Sequence, residues 1–305
     1  MFARVCTFAI DGVDPRQVWV EVDIRTGLPT FTIVGLGDAA VRESRERVRS
    51  AIANSGFSFP AARITVNLAP AFLRKVGPGF DAAVAIAVLA ASEQISPARA
   101  EAYAVFGELS LTGEFRDSPG ALAVAEGTRA FGLGRLIVPR QRAREAALVE
   151  GLTIAGVNNL GAAAAVVMGC APPPLPPPPS PPPAGSPWGP DLADVRGHAG
   201  AVLALQIAAA GGHNLLFEGP PGTGKTMLAR RLPSILPGMT RAEALEVTRI
   251  HSVVGTHAGE LAMARPFRAP HHTISPAGLV GGGSPPKPGE ATLAHPSVRI
   301  DTHGC

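Results

Sequence analysis

Charge is scarce in this 305-residue chain: 17% of its residues are Asp, Glu, Lys or Arg, and 27 basic against 24 acidic side chains leave a formal net charge of +3. No run of like charge stands out. The mild basicity, with a pI near 9.0, therefore permits a nucleic-acid partner without demanding one. Cysteine is scarcer still. Cys6, Cys170 and Cys305 are far apart and odd in number, which excludes a disulfide framework or a cysteine metal-ligand pair and suits a reducing compartment. Long apolar runs are also missing. The most apolar stretches, Ala82–Ala91 and Leu160–Cys170, are half as long as the ~20 residues a bilayer requires. The opening M-F-A-R-V-C-T-F-A-I-D-G lacks the charged, apolar, small-residue order of a secretory signal. These absences describe a cytoplasmic chain without a membrane partner. Hydrophobic residues at 46% nevertheless suffice for two ordinary cores.

What is abundant is unevenly placed. Residues 172–187 read P-P-P-L-P-P-P-P-S-P-P-P-A-G-S-P and hold eleven prolines. Proline lacks the backbone donor and fixes φ, so this run joins neither sheet nor helix and is expected to be a polyproline II spacer. It divides the chain into residues 1–170, a linker at 171–187, and residues 188–305.

Upstream of the linker, strands and helices alternate. Val18, Val20, Val22 and Ile24 share one face of a period-two strand, and Phe31–Val34 reads as the next. Asp38 is placed to cap a helix running to about Ser55, with Gly56 as its stop. Arg63–Leu68 is a further strand. Asp81 is then expected to cap Ala82–Ala91, which is apolar all round and hence buried. Short strands at Val105–Glu108 and Leu136–Val138 complete a mixed α/β domain. Downstream, Ala201–Ala210 reads as a helix, Asn214–Glu218 as a short buried strand, and Lys225 to Leu236 as a second helix.

Between that strand and helix lies Gly219-Pro220-Pro221-Gly222-Thr223-Gly224-Lys225-Thr226, which fits G-x-x-x-x-G-K-[ST] at every fixed position. Glycines let backbone N–H groups turn inward around phosphate oxygens at the start of a helix. Lys225 is then placed for the β- and γ-phosphates, and Thr226 for magnesium. The expected cofactors are ATP and Mg2+. Hydrolysis further requires an apolar strand delivering an Asp, usually with a neighbouring Glu. After Lys225 no run of four apolar residues is followed by two acids. Val298-Arg299-Ile300-Asp301-Thr302 comes nearest, with Arg299 interrupting it and Thr302 in the place of the second acid. Glu260 and Glu290 are the other acids considered, and no catalytic residue is assigned.

Asp194-Val195-Arg196-Gly197, the run from Ala208 to Pro233 around the glycine loop, and R-P-F-R-A-P-H-H-T-I-S-P-A-G-L-V-G-G-G-S-P-P-K-P-G-E (Arg265–Glu290) resemble the bacterial magnesium-chelatase-like AAA+ ATPases, the YifB and ComM group. The Phe267–Glu290 stretch is far more specific to that group than the glycine loop. The resemblance implies a homo-hexameric ATP-driven motor preceded by an N-terminal domain, acting in the ComM branch on DNA during branch migration. It also implies an apolar strand ending Asp-Glu where this chain, from about His295, reads P-S-V-R-I-D-T-H-G-C, as in a product truncated before that strand. Ile64–Asp81 is similar to the segment of the Lon peptidase domain that presents the serine nucleophile, with Gly79 in that place. Gly113–Leu122 is similar to the segment carrying the lysine base, with Leu122 in its place. A Ser–Lys dyad needs a hydroxyl and an amine, so the expected first domain is a Lon-like α+β fold without peptidase chemistry. A partial P-loop α/β domain follows it. The alternatives are a nucleotide-binding module that does not hydrolyse, or a motor subunit inserting magnesium into a porphyrin. The Lon-like domain argues against the latter.

Three weaker signals complete the reading. Arg42, Arg45 and Arg49 share a helix face that could meet DNA phosphates, but Glu43 and Glu46 stand at pairing distance from Arg47 and Arg49, so a solvated face is expected. His251, His257, His271, His272, His295 and His303 match no compact metal-ligand spacing, and His271 and His272 receive no role. Gly281-Gly282-Gly283 lacks a following lysine and helix, and reads as a loop that in a ring could face the pore.

Overall fold

The structure, a computed structural model, describes residues 1–175, 190–220, 222–256, 259–271, 273–283, 286–295 and 298–299. Most of the expected spacer over 172–187 lies outside the described residues. The chain forms two compact units, one from residues 1–178 with 251–260, the other from residues 179–250 with 261–305.

The first unit is built on a seven-stranded sheet. Its strands are β1 (Phe2–Asp11), β2 (Asp14–Arg25), β3 (Thr30–Val34), β4 (Arg63–Ala69), β5 (Ala104–Val105), β8 (Arg135–Pro139) and β9 (Thr153–Val157), in the order β3-β4-β2-β1-β5-β8-β9. β6 (Glu108–Leu109) and β7 (Phe115–Arg116) form a separate antiparallel ribbon. The β1–β2 hairpin pairs Phe2 with Asp23 through to Asp11 with Asp14. Gly12, at φ +64, takes the first-position glycine of a tight two-residue turn. β4 pairs antiparallel with β2 and parallel with β3, whereas β1, β5, β8 and β9 run parallel.

Helices α1 (Ala39–Asn54), α2 (Asp81–Ala91), α3 (Pro97–Glu101), α4 (Ala121–Ala130), α5 (Ala143–Ala146) and α6 (Leu160–Met168) pack on this sheet. Asp38 caps α1 as expected, Oδ1 accepting from Val41 N at 2.9 Å. All eleven residues of α2 are buried, in keeping with its unbroken apolar sequence, because it lies between β1 and β2 on one side and α1, α3 and α6 on the others. Asp81 does not cap α2. It is the first helical residue, and its carboxylate turns to α1, accepting from Arg47 Nε at 2.7 Å, from Ser44 Oγ, and from Leu109 N at 3.3 Å. With the carboxylate wholly enclosed, burial pushes its pKa up to about 6, and Arg47 opposes the rise. The α1 guanidinium of Arg47 attracts it more strongly than the free N–H groups of its own helix.

The second unit contains α7 (Ala199–Gly211), α8 (Lys225–Ala229), most of α9 (Arg241–Val253, whose last three residues count with the first unit), β10 (Phe267–Arg268), α10 (Pro276–Val280), β11 (Gly281–Gly282), β12 (Lys287–Pro288), α11 (Glu290–Leu293) and β13 (Val298–Arg299). Its small core gathers Leu192, Leu205 and Leu228, with Phe217, Met227, Leu232 and Ile235 against them. A capping box opens α9: Glu243 Oε2 accepts from Thr240 N at 2.7 Å while Thr240 Oγ1 accepts from Glu243 N at 3.3 Å.

Three expected elements differ here, the first being Gly281–Gly282, read as part of a loop, which pairs as β11 with β12. Asn214–Glu218 forms no strand and has no regular secondary structure, and Leu216 is 84% exposed. A strand exists only by pairing, and among the described residues nothing pairs with this segment; Phe217 alone turns into the core. The helix from Lys225 stops at Ala229 and resumes as a 3-10 turn over Leu232–Ile235. Pro233 disfavours the helical region for the residue before it and cannot donate to the turn behind it.

Candidate nucleotide-binding site

The glycine loop lies between Asn214–Glu218 and α8. Gly219, Gly222 and Gly224 have φ of +151°, +81° and +81°, conformations costly for any side chain with a Cβ. Gly224 stands at the N-cap of α8, and its carbonyl accepts from Leu228 N at 2.9 Å. Lys225 folds back across the loop, donating from Nζ to Gly219 O at 2.6 Å and Pro220 O at 2.9 Å. Thr223 Oγ1 donates to the same Pro220 carbonyl at 2.9 Å. Thr226 is exposed beside them, and Pro221 lies outside the described residues.

The loop is anchored from behind. Leu228 is buried, and Arg231 donates from Nη1 to Met227 O and from Nε to Asp191 O, each at 3.0 Å. Ser234 Oγ accepts from Leu192 N at 3.1 Å. These contacts tie the turn at Asp191–Asp194 to the helix after the loop. Sequence reasoning missed this brace, although the Arg-Arg pair four residues past Thr226 was its visible trace.

Of the acids considered for hydrolysis, Glu290 has a cationic partner of its own. Glu290 is engaged by Arg268, whose Nε and Nη2 each lie 2.6 Å from its carboxylate. Hydrogen bonding from Arg268 holds that carboxyl below its ordinary range. β13 pairs parallel with β10, while Ile300, Asp301 and Thr302 lie outside the described residues. A cleft of about 470 Å³ opens beside Arg268, lined also by Phe267, Pro270, His271 and Ile274. His271 Nδ1 lies 2.8 Å from Thr273 Oγ1, His251 Nδ1 3.1 Å from Thr256 Oγ1, and His295 Nε2 3.5 Å from Glu246. His257, His272 and His303 lie outside the described residues.

In the first unit, Gly79 lies in the turn Pro78–Phe80 ahead of α2. A Cβ there would stand 2.6 Å from the Phe106 ring, so a serine cannot enter unless the ring moves. Leu122 is fully buried at the start of α4, with its N–H donating to Glu145 Oε1 at 3.0 Å.

The family model described as "Magnesium chelatase, subunit ChlI" matches residues 191–300, and one described as "Subunit ChlI of Mg-chelatase" matches residues 20–142. The chain is 47% identical over 302 residues to the YifB protein of Salmonella typhimurium, covering 97% of this chain and 58% of that protein. It is 44% identical over 300 residues to the competence protein ComM of Haemophilus influenzae, covering 96% and 58%. The chain belongs to the YifB and ComM family. A Mycobacterium tuberculosis relative is 43% identical over 298 residues, again with 97% of this chain and 59% of the relative covered. The chain thus spans somewhat under three-fifths of these relatives. Both the glycine loop and Arg265–Glu290 fall within residues 191–300, the span matched by the magnesium-chelatase subunit model. Among the described residues no helix is long and apolar enough to cross a membrane.

Proposed function

We propose that the chain is an ATP-binding AAA+ protein whose work in the full-length family is ATP-driven remodelling of DNA by a homo-hexamer. The observation that carries the reading is the loop Gly219–Thr226: three glycines in left-handed or extended positive-φ conformations, with an ammonium drawn over the loop's own carbonyls. The residues present fit the triphosphate and its magnesium. Gly219, Gly222 and Gly224 leave the backbone bare for close approach, Lys225 exchanges two carbonyl contacts for phosphate oxygens, and the exposed Thr226 hydroxyl is available to the cation. Bound MgATP supplies the anhydride bond whose cleavage drives movement. Since α8 has five residues, the local N–H groups, more than a long helix dipole, favour the anion.

The domain division 1–170, 171–187 and 188–305 belongs to this reading, as does a Lon-like first domain retained as a scaffold. Gly79 and Leu122 supply neither a nucleophile nor a base. DNA as the substrate is supported by the match to a protein described as a competence protein. The test is calorimetric titration of MgATP into the wild type and Lys225→Ala. A lost charge-assisted hydrogen bond is worth about 1.5–3 kcal/mol, so binding should weaken at least roughly tenfold. Equal affinities would remove the assignment.

A further inference from the structure

One margin of the first unit carries groups that its fold does not use. β3 is an edge strand of the sheet, and the residues that follow it form a loop, Gly35–Asp38, fastened to the loop after β4. Lys75 N donates to Leu36 O at 3.2 Å and Asp38 N to Lys75 O at 3.0 Å. Gly35 passes so close to β4 that a Cβ would stand 2.3 Å from Leu68 O. The second loop is braced internally, Leu73 N donating to Pro70 O at 3.3 Å and the enclosed Lys75 ammonium donating to the same carbonyl. On these two braced turns, Phe72 is 86% exposed and Leu36 58% exposed. Leu36 moreover has φ +58°, a conformation that strains a branched side chain. A phenyl ring held in water by a rigid turn offers no stability to the fold.

The arginines of α1 border the same margin. The expected pairing holds on one flank only: Arg47 lies 3.9 Å from Glu43 but gives its hydrogen bonds to Asp81. On the other flank Arg49 does not turn to Glu46. Its guanidinium lies 5.8 Å over the ring of Phe59, which packs edge-on against Phe31 of β3 at 5.3 Å. That flank therefore looks along the β3 edge. Arg42 begins it one turn past the first braced turn, its N–H donating to Asp38 O at 3.1 Å, and among the described residues no ion pair is formed by Arg42. Arg45 meets Glu46 at 3.2 Å in a largely exposed pair, of the kind that contributes little. Three cations against one carboxylate, ending at an exposed aromatic ring, form an arrangement complementary to a polyanion with stackable rings.

We propose that this margin is a contact surface for single-stranded DNA, with Phe72 stacking on a base and Arg42, Arg45 and Arg49 following the phosphates. The proposal rests on the DNA part of the functional reading and names a surface for it. The experiment measures fluorescence anisotropy of a labelled single-stranded oligonucleotide with the full chain across a salt series. Wild type is compared with Phe72→Ala, Arg42→Gln/Arg45→Gln and Arg42→Lys/Arg45→Lys. Each phosphate contact on a single strand contributes about 0.7 to the slope of log affinity against log salt, so the glutamine pair should flatten it by about 1.4 and the lysine pair should leave it unchanged. Phe72→Ala should weaken binding roughly tenfold with the slope intact, since stacking releases no counterion. Unchanged affinity and slope in the glutamine pair, with wild-type binding present, would place the DNA contact elsewhere and overturn the proposal alone. Displacement of the oligonucleotide by polyglutamate as readily as by unlabelled DNA would make the surface one for acidic protein and overturn it likewise. A wild type that binds MgATP but no oligonucleotide would instead overturn the DNA reading itself.

Discussion

Removing the Arg47 guanidinium should destabilise the first unit in a way that grows with pH. Asp81 is wholly enclosed, and Arg47 is its cationic partner at 2.7 Å and 3.2 Å through Nε and Nη2. Breaking a buried ion pair from one side leaves an uncompensated charge, at a cost of about 3–5 kcal/mol. Even with Arg47 present, burial raises the Asp81 carboxyl from 3.8 to about 6, a rise equivalent to about 3 kcal/mol. Because the folded-state value lies above the unfolded one, the folded chain binds the extra proton. The contribution is fully present below about pH 4 and is lost as pH rises through about 6. In Arg47→Leu only the bonds from Ser44 Oγ and Leu109 N still oppose burial, so that loss continues to higher pH. The deficit relative to wild type should be small near pH 5, where Asp81 can take up a proton, and approach its full size by pH 8. Urea unfolding at pH 5, 6, 7 and 8, followed through Trp19 in a Trp188→Phe background, measures it. A deficit constant across that range would show that the lost arginine acts through packing and that Asp81 does not face it as a buried charge.

Gly79→Ser should lower stability by about 1–3 kcal/mol through overpacking against Phe106, and should yield no casein cleavage because Leu122 supplies no base; cleavage blocked by a serine-directed inhibitor would overturn the reading of Leu122 as the base position. Thr226→Ala should weaken nucleotide binding in magnesium more than in EDTA, and equal losses in both titrations would remove Thr226 from the cation. Glu243→Ala, by opening the capping box of α9, should cost about 1 kcal/mol in urea unfolding; an unchanged midpoint would show that the cap contributes nothing. Glu290→Gln should leave MgATP affinity within about twofold, since Arg268 already occupies the carboxylate. A tenfold loss would return Glu290 to the nucleotide.

Periodicity made β2, α1, β4 and α2 legible because each buries one face, or every face, in a single core. β1 escaped that reading: Phe2–Asp11 mixes Arg4, Cys6 and Thr7 among its apolar residues, and the Asp11-Gly12 turn that makes it half of a hairpin went unread. The glycine loop was visible from spacing alone, since its chemistry is set by backbone freedom at fixed positions. What lies around it was not. Whether Asn214–Glu218 pairs depends on neighbours remote in sequence, and the length of α8 was set locally by Pro233, which the helical pattern had outweighed. Long-range polar choices were the least legible. A capping position for Asp81 and a pairing position for Arg47 are each reasonable by spacing, yet the two residues, 34 apart, satisfy one another instead.

The complete enclosure of α2 bears on how the chain is made. Its cover comes from both directions of the sequence: β1, β2 and α1 precede it, whereas α3 and α6 follow. As a nascent polypeptide emerges, an eleven-residue rod with no hydrophilic side beyond Asp81 must wait while the 77 residues from Ser92 to Met168 are translated. At roughly 5–20 residues per second this exposes one flank for about 4–15 s. A ribosome paused or released within that interval leaves the apolar flank of α2 that faces α3 and α6 uncovered.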